Sequence, residues 1–113
     1  MAMDVRGSWK LKQANGPDVV VTVNAEDPDG SFAAGNNPPE NTASFDGISG
    51  PIQDARATDQ ELTFKVPWSN GPIGRYVGHF DFQGRLTGVT FNEANPGEQS
   101  TWVVNDKTFG RMA

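Results

Sequence analysis

Apolar and polar residues alternate along much of the chain in short runs. The clearest run lies at residues 62–68, where Leu62, Phe64, Val66 and Trp68 alternate with Thr, Lys and Pro. Alternation with a period of two places such residues on one face of a β-strand. No segment carries the i, i+3, i+4, i+7 apolar spacing of an amphipathic helix over a useful length. The pattern therefore predicts a chain built from strands.

Turn sequences rich in Gly, Pro, Asn and Asp separate these runs, for example "NGPD" at 15–18 and "SNGP" at 69–72. Short strands at such regular spacing are typical of an all-β sandwich or barrel. The eight predicted strands cover residues 6–13, 18–25, 30–35, 44–53, 59–68, 73–82, 85–92 and 99–109.

The short links favour a barrel over a sandwich. Neighbours in sequence are then neighbours in space, and "FDFQGRLTG" at 80–88 is typical of a hairpin with a tight turn. Eight strands joined in this way leave two open edges unless the sheet closes. We therefore predict an all-β fold, an eight-stranded antiparallel up-and-down barrel whose interior is filled by side chains or holds one small ligand.

Strand parity predicts which side chains point into the barrel. The expected inward residues are Trp9 and Leu11, the 62–68 set, the aromatic row Tyr76, Gly78, Phe80 and Phe82, and Trp102 with Val104.

Length and charge narrow the picture further. The 113 residues predict a single domain at 6–112, with residues 1–5 as a disordered or cloning-derived N-terminus. The net charge is −5 and no Lys/Arg cluster is present, which argues against nucleic acid or membrane partners. The chain has no cysteine, so disulfides and Cys-ligated zinc are excluded. With no signal peptide or long apolar run, we expect a soluble protein of undetermined compartment.

Four short motifs resemble those of one known family. They are "GSW" at 7–9, "LTFKVPW" at 62–68, "GRYVGHF" at 74–80 and "STWVVNDKTF" at 100–109. Their order is similar to that of the avidin/streptavidin family and covers most of residues 6–112. The opening G-x-W is also similar to that of lipocalins, which would place the chain in the broader calycin group. The resemblance implies a barrel with a ligand site at one open end and assembly into a homodimer or homotetramer.

The resemblance also implies residue roles. Trp68 would form one wall of the site and Tyr76 another wall on the next strand. Trp102 would match the tryptophan that avidins present near a subunit contact. Packing in the core accounts equally well for all three aromatic residues.

The polar groups that hold biotin in that family are largely missing. Leu11 stands where family members carry an Asn, and Lys107 stands where they carry an Asp. Asp106 would serve only after a shift of one residue, which turns its side chain to the other face. A site built on hydrogen bonds loses much of its affinity without these partners, so we expect weak or no biotin binding.

We therefore expect a non-enzymatic small-ligand-binding barrel whose ligand is not biotin. One alternative is a lectin-like module that binds carbohydrate through tryptophan and loop amides. Another is a sealed barrel that binds or inhibits a protein. The link at 33–44 is either merely solvated or a mobile lid over the barrel mouth. We expect no cofactor, metal or catalytic group; the candidate ligand-binding residues are Trp68, Tyr76, Trp102, Asn36, Asn70 and Asp106.

Overall fold

The computed structural model describes residues 2–32 and 41–111, and the regular structure in these ranges is β-strand. These residues contain no helix that is long and apolar enough to cross a membrane. The strands are β1 (Met3–Asp4), β2 (Gly7–Gln13), β3 (Val19–Val23), β4 (Thr42–Phe45), β5 (Ile48–Pro51), β6 (Gln53–Ala57), β7 (Glu61–Pro67), β8 (Ile73–Phe80), β9 (Leu86–Asn92), β10 (Asn95–Val104) and β11 (Gly110–Arg111).

Nine of these strands form one antiparallel sheet in the order β5-β4-β3-β2-β10-β9-β8-β7-β6. Almost every neighbour in the sheet is also a neighbour in sequence. The exception is the pair β2 and β10, which joins the start of the meander to its end. The small strands β1 and β11 pair separately. The predicted all-β class is therefore confirmed.

The two edges of the sheet meet, so the sheet is nearly closed into a barrel. The edge strands β5 and β6 are separated only by Ile52, which is fully buried. Across the seam, the Ser69 N–H donates to the carbonyl oxygen of Ser49 at 2.8 Å. If β5 and β6 are counted as one bent strand, the barrel has eight strands, which agrees with the predicted number and removes both open edges.

The prediction of one strand at 44–53 is wrong. The chain reverses at Asp46 and Gly47, and Phe45 pairs with Ile48 across the turn. Both turn residues have positive φ, 46° for Asp46 and 79° for Gly47. This is the backbone that a two-residue hairpin needs, and Asp-Gly is one of its favoured sequences.

Other boundaries also differ from the prediction, and β6 falls almost wholly between the predicted strands 44–53 and 59–68. The described part of the predicted strand 30–35 contributes only an isolated bridge from Ser31 to Arg56, and residues 33–35 lie outside the described residues. The last long strand begins at Asn95 and ends at Val104 instead of spanning 99–109. Residues 2–5 are part of the fold, since β1 pairs with β11 and Val5 is fully buried.

Most of the predicted inward residues are buried. The set Leu62, Phe64, Val66 and Trp68 is at most 8% exposed. Trp9, Leu11, Tyr76, Trp102 and Val104 are buried as well. The prediction is wrong for Phe82, which is 95% exposed. Strand β8 ends at Phe80, so the alternation of faces no longer applies to Phe82.

The closed end of the barrel is filled by Trp9. Its indole N–H donates to the carbonyl oxygen of Val5 at 3.0 Å, and its ring meets Phe109 edge to face with centroids 5.3 Å apart. The Val5 N–H in turn donates to Glu26 Oε1 at 2.7 Å. Burial raises the pKa of this Glu26 carboxyl. Trp9 therefore seals this end of the barrel.

Candidate ligand-binding cleft

A cleft of about 650 Å³ lies at the end of the barrel opposite Trp9. The meander places alternate links at alternate ends, so the cleft is surrounded by four links, β2–β3, β4–β5, β7–β8 and β9–β10. Its volume falls in the range typical of small-molecule sites, roughly 300–1,000 Å³. The space lies at the barrel mouth, because the core residues fill the interior beneath it.

Aromatic rings form one side of this cleft. Trp68 follows β7 directly, and its ring meets Phe45 edge to face with centroids 4.7 Å apart. Tyr76 lies on the next strand and stacks on the buried ring of Phe64, also at 4.7 Å. Gly74 lies between them, and a Cβ there would come within 3.0 Å of Trp68 Nε1. The absence of a side chain at Gly74 allows the Trp68 indole to pack against β8.

The Tyr76 hydroxyl stays protonated across the physiological pH range. Burial raises the pKa of Tyr76 to about 12, with smaller opposing effects from hydrogen bonds with the Thr90 hydroxyl and the Trp68 indole. Thr90 is buried on β9 opposite Tyr76 and donates its own proton to the Arg75 carbonyl oxygen at 2.8 Å. These bonds fix the positions of the Trp68 and Tyr76 side chains relative to Thr90 on β9.

Polar side chains, neutral except for Glu98, surround the rest of the opening. The side-chain N–H of Gln13 donates to the Pro17 carbonyl oxygen at 2.8 Å, and its amide oxygen has no hydrogen bond with a described residue. Asn92 Oδ1 accepts the Ala94 N–H at 2.9 Å, which leaves its amide nitrogen as a donor. The polar residues that line the cleft are Gln13, Asn15, Thr90, Asn92, Glu98, Gln99 and Ser100.

The layer beneath the cleft is closed by Trp102. Register pairs Gly78 with Gly88 and Gly88 with Trp102, one step below the row of Tyr76 and Thr90. The Trp102 ring covers both glycines, since a Cβ on either would lie 2.6 Å from a Trp102 carbon. Its indole N–H is buried without a hydrogen-bond partner among the described residues.

Comparison with family models, curated proteins and solved structures finds no match to this chain. The assignment of residues to the cleft therefore depends on the geometry alone.

Of the six candidate residues from the sequence, two line the cleft. Trp68 and Tyr76 lie side by side there. Trp102 is only 3% exposed within its own chain, so it presents no surface for the expected subunit contact.

The other three candidates lie elsewhere. Asp106 is exposed outside the cleft, where its carboxylate accepts the Lys10 N–H at 3.1 Å. Asn70 is exposed in the β7–β8 turn and is not part of the cleft lining. Asn36 lies outside the described residues.

The described residues that flank the expected lid lie at the end of the barrel opposite the cleft. Residues 33–40 lie outside the described residues. Their flanks are Phe32 and Asn41, and Asn41 is buried at the start of β4, away from the mouth. The Asn41 amide donates to the carbonyl oxygens of Ala25 and Phe32 at 2.8 and 2.6 Å. This link therefore joins the second and third strands of the barrel, whereas the expected lid joined the third and fourth.

Sequence reasoning missed several cleft residues, chiefly Phe45, Thr90 and Gln13. Each could have been found from turn signals. Phe45 directly precedes the Asp-Gly turn, Gln13 precedes "NGP", and Thr90 is the inward residue next to the "NPG" link. A residue beside a link at the same end of a meander belongs to the same barrel mouth.

Nothing in the cleft points to catalysis. Glu98 is the only carboxylate among its described lining residues, and His79 lies on the outer face with Nε2 3.8 Å from Glu61 Oε1. Within residues 2–32 and 41–111, no three His, Asp or Glu side chains come together as a metal site.

Proposed function

We propose that this chain is a non-enzymatic binding protein that holds a small molecule at the open mouth of its barrel. The observation that carries this proposal is the cleft itself. It combines an aromatic wall of Trp68 and Tyr76 with amides that retain free hydrogen-bonding capacity. Apolar walls with a few directed polar groups are the usual composition of small-molecule sites.

An avidin-like relationship is part of this proposal, with biotin excluded as the ligand. Leu11 is fully buried in the core, where a polar replacement would have no access to the cleft. Lys107 Nζ donates to the carbonyl oxygen of Arg6 near the closed end of the barrel. Neither position supplies the polar group that the family uses for biotin. Assembly into a dimer or tetramer stays a prediction, to be tested by sedimentation.

The proposal is tested by NMR on the isotopically labelled chain with a panel of fragments. The panel contains neutral methyl glycosides, choline, indole-acetic acid and biotin. We expect at least one probe to shift the amides of Thr90 and Gly97 at the mouth and to leave Phe82 at the opposite end unchanged. Biotin is expected to shift none of them. Shifts confined to the closed end, or none with any probe, would contradict the proposal.

Trp68→Ala separates this proposal from the alternative of a sealed barrel. In a ligand site, the variant loses probe binding while its spectrum remains that of a folded chain. In a sealed barrel, no probe binds to either protein, and the substitution only lowers the free energy of unfolding, by about 3–5 kcal/mol for a tryptophan removed from a core. Urea denaturation followed in parallel measures that loss.

A further inference from the structure

We propose that the ligand of the mouth cleft is a neutral sugar. This inference rests on the proposed function of the cleft and adds the chemical class of its ligand.

The cleft offers free donors and free acceptors side by side. Gln13 keeps an amide oxygen, which is an acceptor, and Asn92 keeps an amide nitrogen, which is a donor. The side chains of Asn15, Gln99 and Glu98 make no hydrogen bond with any described residue. Asn and Gln amides supply both kinds of group, and a carboxylate supplies acceptors only. A ligand that satisfies this set must carry groups that donate and accept, as hydroxyls do.

Charge excludes an anionic ligand. The described residues that line the cleft include no Lys or Arg, and their only charged member is Glu98. The nearby Arg75 is held in an ion pair with Glu93, with 2.8 Å between Nη2 and Oε1. The chain as a whole carries a net charge of −5. A carboxylate or phosphate on the ligand would therefore meet repulsion without a compensating cation.

The remaining classes fit less well. A quaternary ammonium ion such as choline has no N–H group and offers a single hydroxyl, so it would leave most of the free amide groups of the cleft without a partner. A wholly apolar ligand would cover the amides of the cleft without giving any of them a hydrogen-bond partner, which costs free energy for each group that it buries. A sugar ring places hydroxyls around its edge and C–H groups on its face. Its C–H face can pack on the Trp68 and Phe45 rings, and its hydroxyls can form hydrogen bonds with the amides.

The test is a titration of the labelled chain with matched sugars. The probes are the methyl glycosides of glucose, galactose, mannose and N-acetylglucosamine, with methyl glucuronide as the charged match of the first and choline as the cation. We expect at least one neutral glycoside to shift the mouth amides of Thr90 and Gly97. We also expect methyl glucuronide to bind more weakly than methyl glucoside, and choline not to bind.

Three variants locate and explain the binding. Gln99→Ala should weaken the neutral sugar about fivefold, the usual effect of one lost hydrogen bond. Gln83→Ala, an equally exposed glutamine at the other end of the barrel, should leave it unchanged. Glu98→Gln should reduce the ratio of the glucuronide Kd to the glucoside Kd about fivefold, which is the effect of one like charge at contact distance in water. Both Gln99 and Glu98 are exposed, so these variants do not depend on the core.

The outcomes are distinct for the two proposals. Choline, or indole-acetic acid, that shifts the mouth amides when no glycoside does would overturn the sugar inference and leave the binding cleft intact. No shift with any probe would overturn both. If a glycoside binds, titration with a tetrasaccharide of the same sugar distinguishes a free sugar from a glycan chain as the ligand. Tighter binding of the tetrasaccharide indicates a glycan chain, and equal binding indicates a free sugar; either result supports the inference.

Discussion

At the scale of single residues, Tyr76 connects the chemistry of the cleft to the stability of the fold. It is the only tyrosine of the chain, and its phenol is 3% exposed between Phe64 and the Trp68–Thr90 pair. Burial of the phenol raises its pKa from about 10 to about 12. The buried neutral form is therefore favoured in the folded state, while the unfolded chain exposes an ordinary phenol.

This difference predicts an alkaline loss of stability with a defined window. Below pH 10 the phenol is protonated in both states, and the full stability is present. Between pH 10 and about 12 the unfolded chain releases its proton first, so the free energy of unfolding falls as pH rises, by roughly 3 kcal/mol in all. Urea denaturation across this range measures the loss. Tyr76→Phe should remove this part of it, whereas an identical pH profile in the variant would contradict the assignment.

The tyrosinate absorbance gives an independent reading, because no second tyrosine contributes. The midpoint should lie near pH 12 for the folded chain and near 10 in urea.

At the scale of elements, the β4–β5 turn contains a glycine that is needed for its backbone conformation and not for lack of space around it. Gly47 has a φ of 79°, and a Cβ there would meet no other atom within 4 Å. Gly47→Ala should therefore lower the free energy of unfolding by about 1 kcal/mol, the cost of a left-handed backbone for an L-residue. Gly97→Ala is the matched control, since that position is equally open and does not have a positive φ. Equal effects in the two variants, measured by thermal or urea denaturation, would contradict this account.

The same turn shows where the sequence was informative and where it was not. Alternation over 62–68 predicted the inward face of β7 correctly, because a strand that is buried on one side must repeat with period two. Alternation gave no signal of the turn within 44–53, because β4 and β5 have only four residues each and together resemble one continuous strand. The Asp-Gly pair was the available signal for that turn. The inward position predicted for Phe82 was wrong for a related reason, because the alternation was extended past Phe80, where β8 ends.

The cleft was predictable only in part for a physical reason. Tyr76 lies within β8 and Trp68 directly follows β7, so the face of each residue followed from the local alternation. Thr90 meets Tyr76 through the register of β8 with β9, whereas Gln13 and Phe45 reach the same cleft only because the strands curl into a barrel. Register depends on non-local pairing and on bulges, such as the shift between Asn95 and Gln99 on β10.

At the scale of the whole molecule, closure of the barrel determines whether the mouth has a fixed shape. The seam is made by few contacts, chiefly the Ser69 N–H to the Ser49 carbonyl oxygen at 2.8 Å and the Ser49 N–H to Ser69 Oγ at 3.3 Å. If the seam opened readily, β5 and β6 would act as exposed edges and the Trp68 wall next to it would move. Closure therefore underlies both the fold and the proposed binding.

Amide hydrogen exchange tests this closure. In a closed barrel, the amides of Ser49 and Ser69 become accessible only when a large part of the fold opens. Their opening free energies should approach that of the Tyr76 amide in the middle of β8, near the global stability. The control is Phe82, whose exposed amide has no hydrogen-bond partner among the described residues and should exchange without protection. If Ser49 and Ser69 exchange as fast as Phe82, the seam is open in solution, and the wall formed by Trp68 and Phe45 is not preorganised for a ligand.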